Sequence, residues 1–152
     1  MALNLSAYKV YCTDGIVNHG TIYPTYQFDR KLSPDGKYYI INGKGSCTDS
    51  GIVIEGTYNN LPVTEIADGA FEGEEHSLIY VCDGIASIGK NAFKNCKDTV
   101  YVRLPNTLKA IGDGAFEGIP DTARIVFDGT IAEWNAISGS FKGVVCTDGT
   151  AE

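Results

Sequence analysis

The segment Glu65-Ile-Ala-Asp-Gly-Ala-Phe-Glu-Gly73 returns as Ser87-Ile-Gly-Lys-Asn-Ala-Phe-Lys-Asn95 and again as Ala110-Ile-Gly-Asp-Gly-Ala-Phe-Glu-Gly118. Ile66, Ile88 and Ile111 lie 22 and 23 residues apart, and Phe71, Phe93 and Phe116 keep the same offsets. A fixed period in the low twenties marks a solenoid, in which each repeat buries its apolar side only against its neighbours. Such an architecture favours a recognition surface over a catalytic cleft. It does not name a partner.

Each repeat opens with a short β-rich run: Ser50-Gly-Ile-Val-Ile54, Ser77-Leu-Ile-Tyr-Val81, Val100-Tyr-Val-Arg-Leu104 and Ala123-Arg-Ile-Val-Phe127. Val81, Leu104 and Phe127 are spaced by 23 residues each time. Strands in one register, joined by long crossovers, stack in parallel. Alternation along each strand assigns the faces. Ile52, Ile54, Ile79, Val81, Val100, Val102, Leu104, Ile125 and Phe127 are expected inward. Val53, Leu78, Tyr80, Tyr101, Arg103, Arg124 and Val126 are expected outward. Ile88, Ile111 and Trp134 follow seven residues after the last inward position, and with Ile85 and Leu108 they predict a second apolar wall. The first repeat has twelve residues at that step, so Thr57-Tyr-Asn-Asn-Leu61 reads as a five-residue insertion forming an edge loop. The Ala-Phe elements are too short for independent helices. One helical turn each is expected, with residues such as Ala92 and Phe93 plugging the core.

The two ends follow other rules. Ser33-Pro-Asp-Gly36 between Tyr26-Gln-Phe-Asp-Arg-Lys-Leu32 and Lys37-Tyr-Tyr-Ile-Ile-Asn42 is a hairpin signal. At the other end Ile131-Ala-Glu-Trp-Asn-Ala-Ile137 replaces the Ala-Phe element. Trp134, Ile137 and Phe141 read as a plug, with Gly143 to Gly149 as a closing strand and turn. Lys9-Val-Tyr-Cys-Thr-Asp-Gly15 echoes Gly143-Val-Val-Cys-Thr-Asp-Gly149. That echo reads either as common turn chemistry or as the tail of an earlier cap unit. The expected fold is a β-rich α/β solenoid: a short leucine-rich repeat stack with parallel strands, an N-terminal β-hairpin cap and a C-terminal Trp-containing cap. Residues 1–48 form the N-terminal β cap region, and 49–149 the solenoid with its C-terminal cap from about residue 128, all in one compact domain.

The run Val100-Tyr-Val-Arg-Leu-Pro-Asn-Thr-Leu-Lys-Ala-Ile-Gly-Asp-Gly-Ala-Phe-Glu-Gly118 resembles the BspA-like class of leucine-rich repeats. Leu104-Pro105, Leu108, Ile111-Gly112 and Ala115-Phe116 carry the resemblance, as do Ile85, Ile88-Gly89, Ala92-Phe93 and Cys96 one repeat earlier. It extends over roughly residues 37–149. Cys82-Asp83 departs from it where Pro is the pattern, and Gly118-Ile119 where Cys is frequent. The resemblance implies surface proteins that bind host proteins, matrix or other cells. It brings no catalytic residues.

Bulk properties agree with a soluble globular chain of 152 residues with 43% hydrophobic content. A net charge of −7 argues against counterion-release binding to nucleic acid and against adsorption to anionic membranes. No apolar run is long enough to span a bilayer. The N-terminus has neither the basic start nor the apolar stretch of a signal peptide. Placement at the cell surface or outside the cell is expected if the chain is a mature fragment of a longer protein, and cytoplasmic or virion-associated placement otherwise. Five cysteines without a C-x-x-C give no zinc or thioredoxin spacing, and they are expected chiefly as buried thiols, Cys82 and Cys96 within the repeat frame.

Catalytic chemistry has little footing. His19 sits in a Gly/Asn-rich turn and His76 in the acidic loop Glu72-Gly-Glu-Glu-His76, read as solvated. A catalytic base needs a pocket and an orienting partner. Asp68, Glu72, Glu74 and Glu75 lack the spacing that wraps Ca²⁺. No enzyme activity, metal or cofactor is expected. The candidate binding surface is the outward strand column Leu78, Tyr80, Tyr101, Arg103, Arg124 and Val126, since Tyr and Arg supply interface hot spots. High β-propensity of Tyr and Val explains part of the same pattern.

The leading expectation is therefore a non-catalytic protein-recognition or adhesion module that binds a protein partner, with no nucleic acid and no membrane insertion. One alternative is a self-assembling or particle-decorating (virion-type) building block stacked end to end. Another is a carbohydrate-binding module using Tyr23, Tyr26, Tyr38 and Tyr39.

Overall fold

The computed structural model describes residues 28–48 and 50–152. The echo at residues 9–15, Cys12, His19, Tyr23 and Tyr26 lie outside the described residues. Strands β1 (Asp29–Leu32) and β2 (Tyr39–Gly43) are followed by β3 (Gly51–Ile54), β4 (Thr57–Tyr58) and β5 (Leu61–Ile66). The repeats then supply β6 (Leu78–Val81), β7 (Ser87–Ile88), β8 (Tyr101–Leu104), β9 (Ala110–Ile111) and β10 (Arg124–Phe127). Helix α1 (Ile131–Asn135) precedes β11 (Val145–Cys146) and β12 (Gly149–Thr150).

Two sheets line the solenoid. One runs β12-β11-β10-β8-β6-β3, with the four long repeat strands parallel. The other runs β1-β2-β5-β7-β9 and carries the second apolar column. Equivalent residues stack in register: Ile52, Ile79, Val102 and Ile125 form one row. Ile52, Ile54, Ile79, Val81, Val102, Leu104 and Phe127 are buried as the alternation predicts, facing Ile66, Ile85, Ile88, Leu108 and Trp134. Burial of each such side chain contributes about 1.5–3 kcal/mol, so the repeated positions supply the stability of the stack.

Val100 breaks the pattern. It is 59% exposed, because β8 starts one residue later and Thr99 turns inward instead, its hydroxyl donating to the His76 carbonyl at 2.8 Å. His76 itself is buried beside the Phe71 ring, 6.1 Å between centroids, and does not sit in a solvated loop.

The Ala-Phe elements form no helices. They are chains of i to i+3 turns, as in Ala70 N–H to the Ala67 carbonyl and Glu72 N–H to the Gly69 carbonyl. Residues in the left-handed region recur at each one: Gly69 and Gly73, Asn91 and Asn95, Gly114 and Gly118. A positive φ every four residues interrupts helical propagation, and Gly or Asn tolerates it. The amides freed in this way bond the next repeat instead. Phe71 N–H donates to the Ala92 carbonyl at 2.7 Å and Phe93 N–H to that of Ala115 at 2.8 Å. Above this ladder the rings form a column, Phe71 on Phe93 at 5.3 Å and Phe93 on Phe116 at 5.4 Å, nearly parallel.

The predicted loop insertion is a tight hairpin. Asn59 and Asn60 both have positive φ, the condition for the two-residue primed turn that joins β4 to β5. The Ser33–Gly36 hairpin forms as well, with β1 antiparallel to β2 and β2 running parallel to β5. Arg30 lies across the Tyr58 ring, 4.0 Å from its centroid, tying the two hairpins together.

At the C-terminus Thr130 and Glu133 form a reciprocal capping box that starts α1. The Ile131 N–H also donates to Asp148 Oδ1 at 2.8 Å, fixing α1 to the β11–β12 turn. Trp134 is fully buried between Phe127 and Phe141, and its indole N–H donates to the Phe141 carbonyl at 2.8 Å.

Candidate recognition surface

The outward side of the long sheet carries two rows of side chains. Leu78, Tyr101 and Arg124 stand opposite one another in register, and so do Val53, Tyr80, Arg103 and Val126. Strand spacing of about 4.8 Å brings each residue against its neighbour. The six residues expected to form the surface therefore share one face. They do not share one exposure.

Tyr80 is 4% exposed and joins Val53 and Cys82 in a second, small buried cluster on this side of the sheet. It is therefore a support and not a contact residue. Sequence alternation assigned its direction correctly but not its covering. Leu78, Tyr101, Arg103 and Val126 are half-buried, and Arg124 is exposed. The open part of the face thus lies toward its C-terminal half.

A polar network crosses it. The Arg103 guanidinium stacks on the Tyr80 ring, 4.8 Å from the centroid, and donates to the Tyr80 hydroxyl. It also forms a fork with Asp128: Nε donates at 2.7 Å to the carboxylate oxygen that Nη2 also reaches. Burial pushes the Tyr80 phenol above its ordinary pKa, against the opposing pull of the Arg103 charge. Burial works against the charge of Arg103, but Asp128 outweighs it and raises the guanidinium further. The arginine is thereby held charged and oriented, with its position fixed by two neighbouring strands. Asp128 went unrecognised in the sequence because it lies one residue past β10, beyond the alternating run.

The cysteines divide. Cys47, Cys96 and Cys146 are buried thiols outside any disulfide, whereas Cys82 is disulfide-bonded, which corrects its reading as a thiol packed in the repeat frame. Burial raises the Cys96 thiol to about 11, and its Sγ donates to the Phe71 carbonyl at 3.2 Å. Among the acidic residues, Asp68 accepts the Lys90 N–H at 2.7 Å and Glu74 pairs with Lys44 at 2.8 Å. Tyr39 packs edge-on against Tyr58 at 5.2 Å, committing both rings to the fold. No helix among the described residues is long and apolar enough to cross a membrane.

The fold has known counterparts. A leucine-rich repeat protein from Bacteroides capillosus superposes with a TM-score of 0.59 at 22% identity, over 82% of this chain and 96% of that one. The T. pallidum leucine-rich repeat protein matches with a TM-score of 0.55 at 27% identity over 71% of this chain, which spans only 54% of its length. A leucine-rich cell surface protein from Faecalibacterium prausnitzii gives a TM-score of 0.50 at 21% identity, over 83% of this chain and 48% of that one. Among curated proteins, none matches the chain. The family model for the BspA-type leucine-rich repeat region, in six copies, covers residues 63–142. Those residues hold the Ile-Gly and Ala-Phe positions that build the stack, and the chain belongs to the BspA-type leucine-rich repeat family.

Proposed function

We propose that the chain is a non-catalytic recognition module of a surface or secreted protein, and that it binds a protein partner through the open half of its outward strand face. The observation that carries this reading is the Tyr80–Arg103–Asp128 network. It fixes Arg103 beside Val126 in register, while Tyr101 and Arg124 in the adjoining row keep part of their side chains accessible. An arginine already held in place, beside accessible Tyr and Arg side chains on one sheet face, suits protein contacts, since its side-chain freedom is not lost again on binding.

Two further observations support the surface placement. A disulfide at Cys82 belongs to an oxidising compartment. One structural relative is described as a leucine-rich cell surface protein. Leucine-rich repeats of this kind are typically non-catalytic.

The test is binding to purified extracellular proteins by the wild type and by a Tyr101→Ala/Arg124→Glu variant. Loss of binding with an unchanged unfolding midpoint supports the assignment of the face. Undiminished binding by the variant moves the contact elsewhere.

A further inference from the structure

The Ala-Phe ladder has an open end. At the first element Gly69, Phe71 and Gly73 donate their N–H groups to the carbonyls of Lys90, Ala92 and Lys94, at 2.7–2.8 Å. At the second, Asn91, Phe93 and Asn95 donate to Asp113, Ala115 and Glu117, at 3.1, 2.8 and 2.7 Å. The equivalent donors of the third are Gly114, Phe116 and Gly118. Among the described residues none of these three N–H groups has a backbone acceptor. The chain provides no fourth Ala-Phe element, because α1 replaces it.

The space where that element would lie is partly empty. A cavity of about 570 Å³ opens between Asp113–Glu117 and the segment Gly139–Gly143, with Gly114 and Phe116 in its wall. Phe141 covers Phe116 at 5.6 Å but tilts by 49°, unlike the nearly parallel rings below it. Phe116 consequently stays half-buried where Phe71 and Phe93 are fully buried. A row of unpaired amides beside an apolar ring is a template for pairing with another chain.

Charge narrows the occupant. The Ala-Phe elements alternate in sign: Asp68 and Glu72, then Lys90 and Lys94, then Asp113 and Glu117. Lys94 pairs with Glu117 at 3.7 Å across one of these steps. A further layer that continued this series would be basic. Asp121 adds a third carboxylate to the wall, against one cation, Lys142. A free anion is repelled despite the amides. A second copy stacked by its own first element would set Asp68 and Glu72 against Asp113 and Glu117, like against like. End-to-end stacking through this edge is therefore disfavoured.

We propose that this groove is a second binding site, which takes a lysine-bearing turn of a different protein whose alternate carbonyls accept from Gly114, Phe116 and Gly118. The site is separate from the strand face, and either can fail without the other.

The probes are two synthetic peptides copied from the chain itself. One is basic, Gly-Lys-Asn-Ala-Phe-Lys-Asn (residues 89–95), and the other acidic, Gly-Asp-Gly-Ala-Phe-Glu-Gly (residues 112–118). Each is titrated to millimolar concentration into the full, isotope-labelled chain while the amide resonances are followed. The basic peptide is expected to shift Gly114, Phe116 and Gly118, leaving β8 and β10 unmoved, and the acidic peptide to shift none. Asp113→Lys with Asp121→Lys, both exposed sites, should weaken the basic peptide by up to about fivefold per reversed charge. Three unmoved amides, equal response to both peptides, or unchanged affinity in the charge-reversed chain would each overturn the proposal.

Discussion

Arg103 on β8 lies flat over the ring of Tyr80 on β6, 4.8 Å from its centroid, while its other edge grips Asp128 past β10. Three successive turns of the solenoid are cross-linked by one side chain. Tyr80 is buried in this arrangement, so replacing it acts on folding. Tyr80→Ala should cost about 3–5 kcal/mol, the range for losing a large buried ring. Arg103→Ala should cost less, roughly 1.5–3 kcal/mol for lost charge-assisted hydrogen bonds. Urea denaturation of the two variants measures both, and a Tyr80→Ala midpoint matching wild type would show that the ring is not buried.

The glycine of the Ile-Gly pair has a steric origin. A Cβ at Gly89 would fall 2.5 Å from the Asp68 nitrogen, and one at Gly112 would fall 2.7 Å from the Gly89 carbonyl carbon. The obstacle in both cases is the backbone of the preceding turn, which cannot rotate away. Gly89→Ala and Gly112→Ala should each cost about 1–3 kcal/mol through overpacking. Ala67 occupies the same place in the first repeat, where its N–H bonds the Ile41 carbonyl of β2. Thermal unfolding of Gly112→Ala checks the point, a neutral result contradicting the close stacking.

The phenylalanine column makes a graded prediction. Phe93 is sandwiched between Phe71 and Phe116 and fully buried, so Phe93→Ala should cost about 3–5 kcal/mol. Phe116 is half-buried beside the open groove, so Phe116→Ala should cost less. Equal losses in calorimetry would mean that the groove is closed.

Cysteine labelling tests the redox assignment. Unfolded without reductant, Cys47, Cys96 and Cys146 should each take up an alkyl group and Cys82 none, with Cys82 labelled only after reduction. In the folded chain Cys96 should resist alkylation. With burial pushing its thiol up from the ordinary 9.0 to about 11, its thiolate at pH 8 is about 100-fold scarcer, and burial blocks access further. Peptide mapping by mass spectrometry reads the sites, and a label on Cys82 before reduction would show that it is not disulfide-bonded.

Periodicity made the stack legible. A 23-residue repeat with strict alternation is enough to place Ile79, Val102, Leu104 and Phe127 inward and to align their strands. What periodicity does not encode is what lies across from a residue. Val53 and Tyr80 point outward as predicted and are nonetheless buried. Val100 obeys the pattern yet stands outside the strand that would make the pattern apply. The Ala-Phe elements contain helix-compatible residues, but their conformation is decided by left-handed Gly and Asn positions and by bonds to the next turn, both of which are non-local. Asp128 and the open groove depend on contacts across repeats, and the six surface candidates were separable into supports and exposed residues only once those contacts were known.

The proposed function turns on whether a partner binds at the exposed half of the strand face. Surface plasmon resonance on a panel of purified extracellular proteins, run in parallel with wild type and Tyr101→Ala/Arg124→Glu, tests this most directly. The predicted result is a partner whose affinity falls about tenfold or more in the variant, as when hot-spot residues are removed, while both proteins unfold at the same temperature. A partner bound equally well by both would contradict it.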